Sequence, residues 1–172
     1  MSFLELAEKR YSVRKFSGKP VETEKINLIL EAGRFAPTAT NCQCQRILVI
    51  ESREAAEKLK NCTPCHYNAP VAFLVCCDER EDWTRETDGV KSGVIDASIV
   101  ATHMMLEAAD IGLGSTWVMV FNADAIKTAF KIPDGIVPVA LLPVGYPASD
   151  SEPSPMHFSR KPIDETVIFN QF

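Results

Sequence analysis

The chain lacks the features that mark membrane, secreted and nucleic-acid-binding proteins. Its 172 residues contain no apolar run near the ~20 residues that a membrane helix needs. Residues 1–5 lack the basic segment and apolar stretch of a secretory signal. No long Lys/Arg run occurs, and the formal net charge is -5. We therefore expect a cytoplasmic protein that binds neither membranes nor nucleic acid.

Six cysteines are present, and without a signal they are expected to be thiols rather than disulfides. The segment Cys62-Thr63-Pro64-Cys65-His66 has the spacing of a covalent haem attachment, although such attachment normally accompanies export. Cys42 and Cys44 could instead join Cys62 and Cys65 as four thiolates around zinc or an iron-sulfur cluster. The sequence leaves open whether these four residues bind a metal or are free thiols.

Composition and patterning predict one α+β domain over residues 1–172. Apolar residues make up 46% and charged residues 24%, as in globular proteins. Beyond Pro147 the chain becomes polar and proline-rich, so residues from about 148 are expected to form an extended tail. Helices are predicted at 3–10, 26–36, 53–60 after a Ser52 N-cap, 90–110, and 123–130 after an Asn122 N-cap. Strands are predicted at 47–50, 71–77, 115–121 and 137–144.

Two predicted details concern the connections and the last strand. The polar stretch Asp78 to Asp88 is expected to be a loop or a small lid. Pro138 and Pro143 are compatible with the last strand only at its ends or on a sheet edge, because proline cannot donate a ladder hydrogen bond.

An anion site is the strongest functional prediction from local sequence. In Arg10-Tyr11-Ser12-Val13-Arg14 the polar residues alternate with Tyr11 and Val13. An extended backbone would place both guanidinium groups and the hydroxyl on one face, where they could bind a phosphate. An ordinary solvated basic segment explains the same spacing equally well.

Two other segments carry weaker signals. Residues 36–43 follow the second helix as a small polar loop whose threonine and amide groups could bind the edge of a heteroaromatic ring. Gly112-Leu113-Gly114-Ser115 follows a helix and opens a strand, which is the reverse of a dinucleotide fingerprint.

Four separated blocks, taken together, resemble the nitroreductase family of flavin mononucleotide (FMN) oxidoreductases. They are residues 10–16 (RYSVRKF), 29–41 (ILEAGRFAPTATN), 109–117 (ADIGLGSTW) and 157–162 (HFSRKP). The resemblance implies a mostly antiparallel central β-sheet flanked by helices, with the C-terminal tail exchanged in a homodimer. This sequence departs from the family pattern at Cys44-Gln45-Arg46, where many members have a proline and an aromatic residue. The substrate preference is therefore left open.

The resemblance also implies which residues contact FMN. Arg10, Ser12 and Arg160 would hold the phosphate, with Tyr11 beside them, and Arg14 would face the ribityl chain and the pyrimidine edge. Gly114 and Ser115 would lie near the reactive edge of the ring. The partner subunit would contribute the second helix's terminal loop through Pro37, Thr38, Ala39, Asn41 and Gln43.

The implied activity is hydride transfer in two steps, from NAD(P)H to the flavin and then to a nitro-aromatic, quinone or similar acceptor. No catalytic side chain is assigned, because solvent can supply the protons. The alternative is a non-catalytic cytosolic flavin- or metal-binding protein that uses the cysteine cluster. A flavin-modifying enzyme or a dehalogenase on the same fold is also compatible with the sequence.

Overall fold

A computed structural model describes residues 2–172 of the chain. The α-helices are α1 (Phe3–Lys9), α2 (Thr23–Phe35), α3 (Arg53–Lys60), α4 (Gly93–Asp110) and α5 (Ala123–Phe130). The strands are β1 (Gln45–Ile50), β2 (Val71–Asp78), β3 (Gly114–Ser115) and β4 (Ile136–Gly145). Short 3-10 helices occupy Ala39–Asn41, Pro64–His66, Pro155–Phe158 and Ile163–Glu165.

The four strands form one antiparallel sheet in the order β1-β2-β4-β3. The predicted α+β class with a mostly antiparallel sheet and flanking helices is therefore confirmed. Exchange of the tail in a homodimer stays a prediction.

Strand β2 lies at the centre of the core because every one of its residues is buried. Alternation along the strand sends Phe73 and Val75 to one face and Leu74 and Cys76 to the other. Helices α2 and α4 cover the first face, and α3 and α5 cover the second. A continuous apolar run is what a strand with two covered faces requires.

Helix α4 is the most buried helix, as its nearly all-round apolar sequence predicts. It begins at Gly93 rather than at Val90. Val100, Ala101 and Met104 have no exposed surface. Met104 packs against Gly33 of α2, where an added Cβ would meet its Cγ at 3.0 Å. This close contact packs the middle of α4 against the last turns of α2.

The prediction of a strand over 115–121 is wrong beyond Ser115. After β3 the chain makes a single bridge, between Val118 and Leu141, and Met119 and Val120 are exposed. The Thr116 amide reaches the Pro143 carbonyl at 3.3 Å, but Pro143 has no N–H to return a bond. The ladder therefore ends after two residue pairs.

Strand β4 also corrects the expectation for its two prolines, because it lies between β2 and β3 rather than on an edge. Pro138 is opposite Cys76, where the register shifts after Val75, so a bulge accommodates it. Pro143 lies just before the two residues that pair with β3.

The remaining segments lie on the surface. The predicted loop from Asp78 to Asp88 begins one residue later, because Asp78 ends β2, and the Arg85–Asp88 ion pair at 2.5 Å lies near its end. In α1, Phe3 and Leu4 are more than 70% exposed, so its apolar side has no cover from its own chain. Of the helices in residues 2–172, none combines the length and apolar character needed to cross a membrane.

Candidate functional site

The segment from Arg10 to Arg14 runs as extended chain beside β3. Val13 is 2% exposed, and its amide donates to the Ser115 carbonyl at 2.9 Å. Ser12 forms a parallel bridge with Ser115. The Tyr11 hydroxyl donates to the Ser151 carbonyl at 3.1 Å, which ties the tail to this segment. Val13 turns into the protein, as the alternation predicts.

Gly114 allows this close approach because it has no side chain. A Cβ added there would lie 2.5 Å from Cγ2 of Val13, well inside van der Waals contact. Packing against the basic segment thus requires a glycine at position 114. The two separated sequence blocks meet at this point in the fold.

Four residues predicted to bind FMN line one cavity of about 220 Å³. Arg10, Ser12 and Arg14 come from the N-terminal segment, and Arg160 comes from the tail. The other lining residues are Ser154, Met156 and His157, so no carboxylate lines this cavity. The Arg160 guanidinium is held by the carbonyl oxygens of His157 at 2.6 Å and Ser159 at 2.8 Å.

The electrostatics of this cavity favour an anion. Burial, and then the positive charge of Arg160, lower the pKa of Arg10. Within residues 2–172, Arg10, Arg14 and Arg160 take part in no ion pair. Guanidinium groups are strong bidentate donors to phosphate. The cavity therefore combines unneutralised positive charge with donors of the type that a phosphate accepts.

A second cavity of about 220 Å³ adjoins the first through Arg10 and is lined by Tyr11, Gly114 and Ser115. The Ser115 hydroxyl oxygen is buried, and no group in residues 2–172 hydrogen-bonds to it. A buried polar atom without a partner is uncommon in folded proteins. A ligand that donates to or accepts from this hydroxyl would satisfy it, so the observation fits a bound group at this place.

The loop from Pro37 to Gln43 lies apart from the arginine cavity and lines no part of it. Its backbone is unusual, with positive φ at Thr40, Asn41 and Gln43. Internal bonds hold this shape, including one from the Gln43 amide to the Thr38 hydroxyl at 3.1 Å. Asn41 and Gln43 are exposed, so their side chains are available to another molecule.

Asp96 is a residue of this region that sequence reasoning missed. It lies in the first turn of α4 and is 2% exposed. Its Oδ1 accepts the Ala39 amide at 3.0 Å, and its Oδ2 accepts the Ser92 hydroxyl at 2.7 Å. The signal was present, because Asp96 is the only acidic residue between Gly93 and Leu106 of an otherwise apolar helix.

Two thiols lie against the same carboxylate. The Cys42 sulfur is 3.3 Å from Asp96 Oδ2, and the Cys44 sulfur is 3.9 Å from it. Burial, followed by the neighbouring Cys42, raises the pKa of Cys44 to about 12.

The four-thiolate site considered from the sequence is wrong, because the two cysteine pairs lie on opposite faces of the sheet. Cys44 belongs to the core beneath α2 and α4, whereas Cys62 and Cys65 belong to the core beneath α3 and α5. The Cys62 thiol is buried and donates to the Lys58 carbonyl at 3.3 Å, which leaves it unavailable for haem attachment.

Comparison with known proteins also relates this chain to nitroreductases. The chain matches the model of the Nitroreductase family over residues 7–63 and 61–146. A solved structure of a nitroreductase family protein from Clostridium difficile 630 superposes with a TM-score of 0.94 at 42% identity, covering 100% of both chains.

Two further relatives extend the comparison. A Methanothermobacter thermautotrophicus protein named NADH dehydrogenase/NAD(P)H nitroreductase is 32% identical over an alignment of 157 positions, which covers 87% of this chain and 80% of the relative. The structure of an FMN-dependent nitroreductase from Clostridium difficile R20291 has a TM-score of 0.78 at 24% identity, covers 99% of this chain and 100% of its own, and shares the fold. Because the family match covers most of its length, this chain belongs to the nitroreductase family.

Proposed function

We propose that the chain is an FMN-dependent oxidoreductase that passes hydride from NAD(P)H to a nitro-aromatic, quinone or similar acceptor by a two-step ping-pong route. The arginine cavity carries the proposal, because Arg10, Arg14 and Arg160 surround one space that no carboxylate lines. The phosphate monoester of FMN is the anion that such a cavity suits. The names of the relatives support the use of NAD(P)H and FMN in this family.

The residues present fit FMN. We assign the phosphate to Arg10, Ser12 and Arg160, with Tyr11 holding the tail against them. Arg14 and the neighbouring groups of Gly114 and Ser115 are assigned to the sugar chain and ring. We assign the exposed loop carrying Pro37, Thr38, Ala39, Asn41 and Gln43 to the flavin of a partner subunit.

FMN bound by Arg10, Ser12 and Arg160 would supply the chemistry, which is transfer of hydride between the nicotinamide and the acceptor. The protein would bind the phosphate and orient the ring. Arg14, which lines the arginine cavity, would supply a positive charge that favours the anionic form of a bound flavin. No side chain needs to transfer a proton, since solvent reaches the open site.

The spectrum of the purified protein tests the assignment. We expect a yellow protein that bleaches on addition of NADH or NADPH under nitrogen and regains its colour with a quinone. Initial rates at several acceptor concentrations should give parallel double-reciprocal lines, as a ping-pong route requires. A protein that binds no FMN, or one that binds FMN and is never reduced, would contradict the enzyme and favour the non-catalytic alternative.

Arg10→Ala tests the phosphate site directly. Loss of one charge-assisted hydrogen bond costs about 1.5–3 kcal/mol, or a roughly 10- to 150-fold rise in the Kd for FMN. Arg53→Ala is the matched control, because Arg53 is an exposed arginine on α3 outside both cavities. Fluorescence titration of the apoprotein with FMN measures the Kd of each variant. Equal affinities in the two variants would contradict the assignment.

We also propose that the active form is a homodimer of single domains, each covering residues 1–172 with its tail from about 148. The support is the exposed apolar surface on α1, α2, α4 and the tail. It includes Phe3, Leu4, Leu28, Phe35, Val94, Ile95, Met156, Phe158, Ile163 and Phe169. Sedimentation should give a dimer for the native chain, and Ile95→Glu should shift it to monomer with weaker FMN binding. A native monomer with full activity would overturn this proposal.

A further inference from the structure

A group of metal-ligating atoms lies outside the two cavities assigned to FMN. The sulfur atoms of Cys42 and Cys44 and a carboxylate oxygen of Asp96 all lie within 4.8 Å of one another. Cys44 and Asp96 are buried, and Cys42 is half-buried. The group joins the segment before β1 to the first turn of α4.

The distances suit one small cation bound by all three residues. Around tetrahedral Zn²⁺, a thiolate sulfur at about 2.3 Å and a carboxylate oxygen at about 2.1 Å lie about 3.6 Å apart. The two sulfur-to-Oδ2 distances, 3.3 Å for Cys42 and 3.9 Å for Cys44, bracket that value. Small side-chain rotations would therefore be enough to bring the three ligand atoms onto one ion.

The carboxylate is already oriented by neighbours that are not ligands. The Ser92 hydroxyl donates to Oδ2 at 2.7 Å and the Ala39 amide donates to Oδ1 at 3.0 Å. Hydrogen bonds of this kind fix the direction of metal-binding carboxylates.

The chemistry of the donor atoms also favours a soft cation. Asp96 takes part in no ion pair of residues 2–172, although it is 2% exposed. Two soft sulfur donors beside one carboxylate form a donor set that selects a thiophilic d10 ion over Mg²⁺ or Ca²⁺.

We propose that Cys42, Cys44 and Asp96 form a zinc site, with a water molecule at the fourth position. Binding breaks two S–H bonds and forms two Zn–S bonds and one Zn–O bond, and both protons pass to solvent. No electron is transferred. Two positive charges leave and two arrive, so the net charge of the buried group does not change.

The site would hold the loop that we assign to the partner's flavin. Ala39, whose amide binds Asp96, belongs to that loop, and Cys42 closes its 3-10 turn by donating its amide to the Ala39 carbonyl at 2.9 Å. Zinc would thus fix the loop to α4 through three bonds rather than through hydrogen bonds alone. The zinc site itself does not depend on the proposed flavin function.

Metal analysis and X-ray absorption of the untagged full chain test the proposal. The protein is first freed of metal with a chelator under reducing conditions, and Zn²⁺ is then added. One equivalent of the added Zn²⁺ should stay with the protein through gel filtration. The zinc edge should show two sulfur neighbours at about 2.3 Å and oxygen neighbours at about 2.0–2.2 Å. A spectrum with only oxygen or nitrogen neighbours, or no retained zinc, would overturn the proposal.

Variants identify the ligands. Cys42→Ser and Cys44→Ser should lose the retained zinc, whereas Cys62→Ser and Cys65→Ser should keep it. Ser92→Ala leaves all three ligands in place and should weaken zinc binding by about 10- to 100-fold. Circular dichroism separates unfolded variants from folded ones, and Ser92→Ala remains informative if a cysteine variant fails to fold. Zinc lost from the Cys62 and Cys65 variants instead, or a Cys42–Cys44 disulfide found in place of metal, would refute the assignment.

Discussion

Gly114→Ala is expected to damage the flavin site through packing alone. The new methyl would lie 2.5 Å from Cγ2 and 2.8 Å from Cβ of Val13. Val13 cannot rotate away easily, because its β-branched side chain is buried and its amide is bonded to Ser115. The basic segment must therefore move away from β3, and it would carry Arg10 and Ser12 with it.

The size of the effect follows from two opposing contributions. Overpacking a core contact costs about 1–3 kcal/mol. Replacing glycine by alanine also restricts the unfolded chain, which stabilises by about 0.4–1 kcal/mol where the backbone is compatible. We expect a net loss of about 1–2 kcal/mol in the free energy of unfolding. Displacement of one phosphate donor adds a roughly tenfold or greater rise in the Kd for FMN.

Urea unfolding of the apoprotein and FMN titration measure the two effects separately. Gly33→Ala is the matched control, since its new methyl meets the flexible Met104 side chain at 3.0 Å and touches neither cavity. It should change stability by less than about 1 kcal/mol, because helix propensity and the strained contact oppose each other. Its FMN affinity should equal that of the native protein.

A double variant tests the cause. Val13→Ala removes the two methyl groups and leaves only Cβ of residue 13, at 2.8 Å from the new methyl, so Gly114→Ala should cost less in that background than in the native chain. The coupling should be about 0.5–1 kcal/mol, within the range measured for residues in contact. Strictly additive effects of the two substitutions would refute the packing argument.

Three further predictions concern single side chains. Ser52→Ala removes the hydroxyl that accepts the Ala55 amide at 3.1 Å, and should cost about 1 kcal/mol in urea unfolding. Ser115→Ala should raise apoprotein stability or leave it unchanged, since an unsatisfied hydroxyl costs about 1–3 kcal/mol, yet it should weaken FMN binding. Hydrogen bonds from Arg80 lower the pKa of Asp78 from 3.8 to about 2, so its stabilising contribution is present above pH 4 and is lost as the pH falls towards 2. Asp78→Asn should flatten that acid limb of the stability curve, and an unchanged limb would contradict the pairing.

Local patterns predicted the elements whose stability is local. Helix α3 begins after Ser52 and α5 begins after Asn122, as their N-caps indicate, because a cap is a bond between near neighbours. Strand β2 was predicted as a buried run and is one. In each case the decisive contacts are short-range or arise from burial alone.

The failures depend on contacts that sequence spacing does not report. The strand ends after Ser115 because of Pro143, whose carbonyl accepts the Thr116 amide only after the sheet has formed. The Asp96 group depends on α4 packing beneath the Ala39 to Cys44 segment, about fifty residues away in the sequence. Resemblance to a family identified Arg10 and Arg160 as partners, although 150 residues separate them, and the structure places both at one cavity.

The exposed tail has a consequence for the lifetime of the protein in a cell. Residues from 160 onward are all exposed, and they include Ile163, Phe169 and Phe172. Exposed termini are the usual sites of proteolytic cleavage, and aromatic residues there suit chymotrypsin-like enzymes. A lone protomer is thus open to trimming that a partner covering the tail would prevent. For the homodimer proposed above, resistance of the tail to added protease should therefore rise with protein concentration.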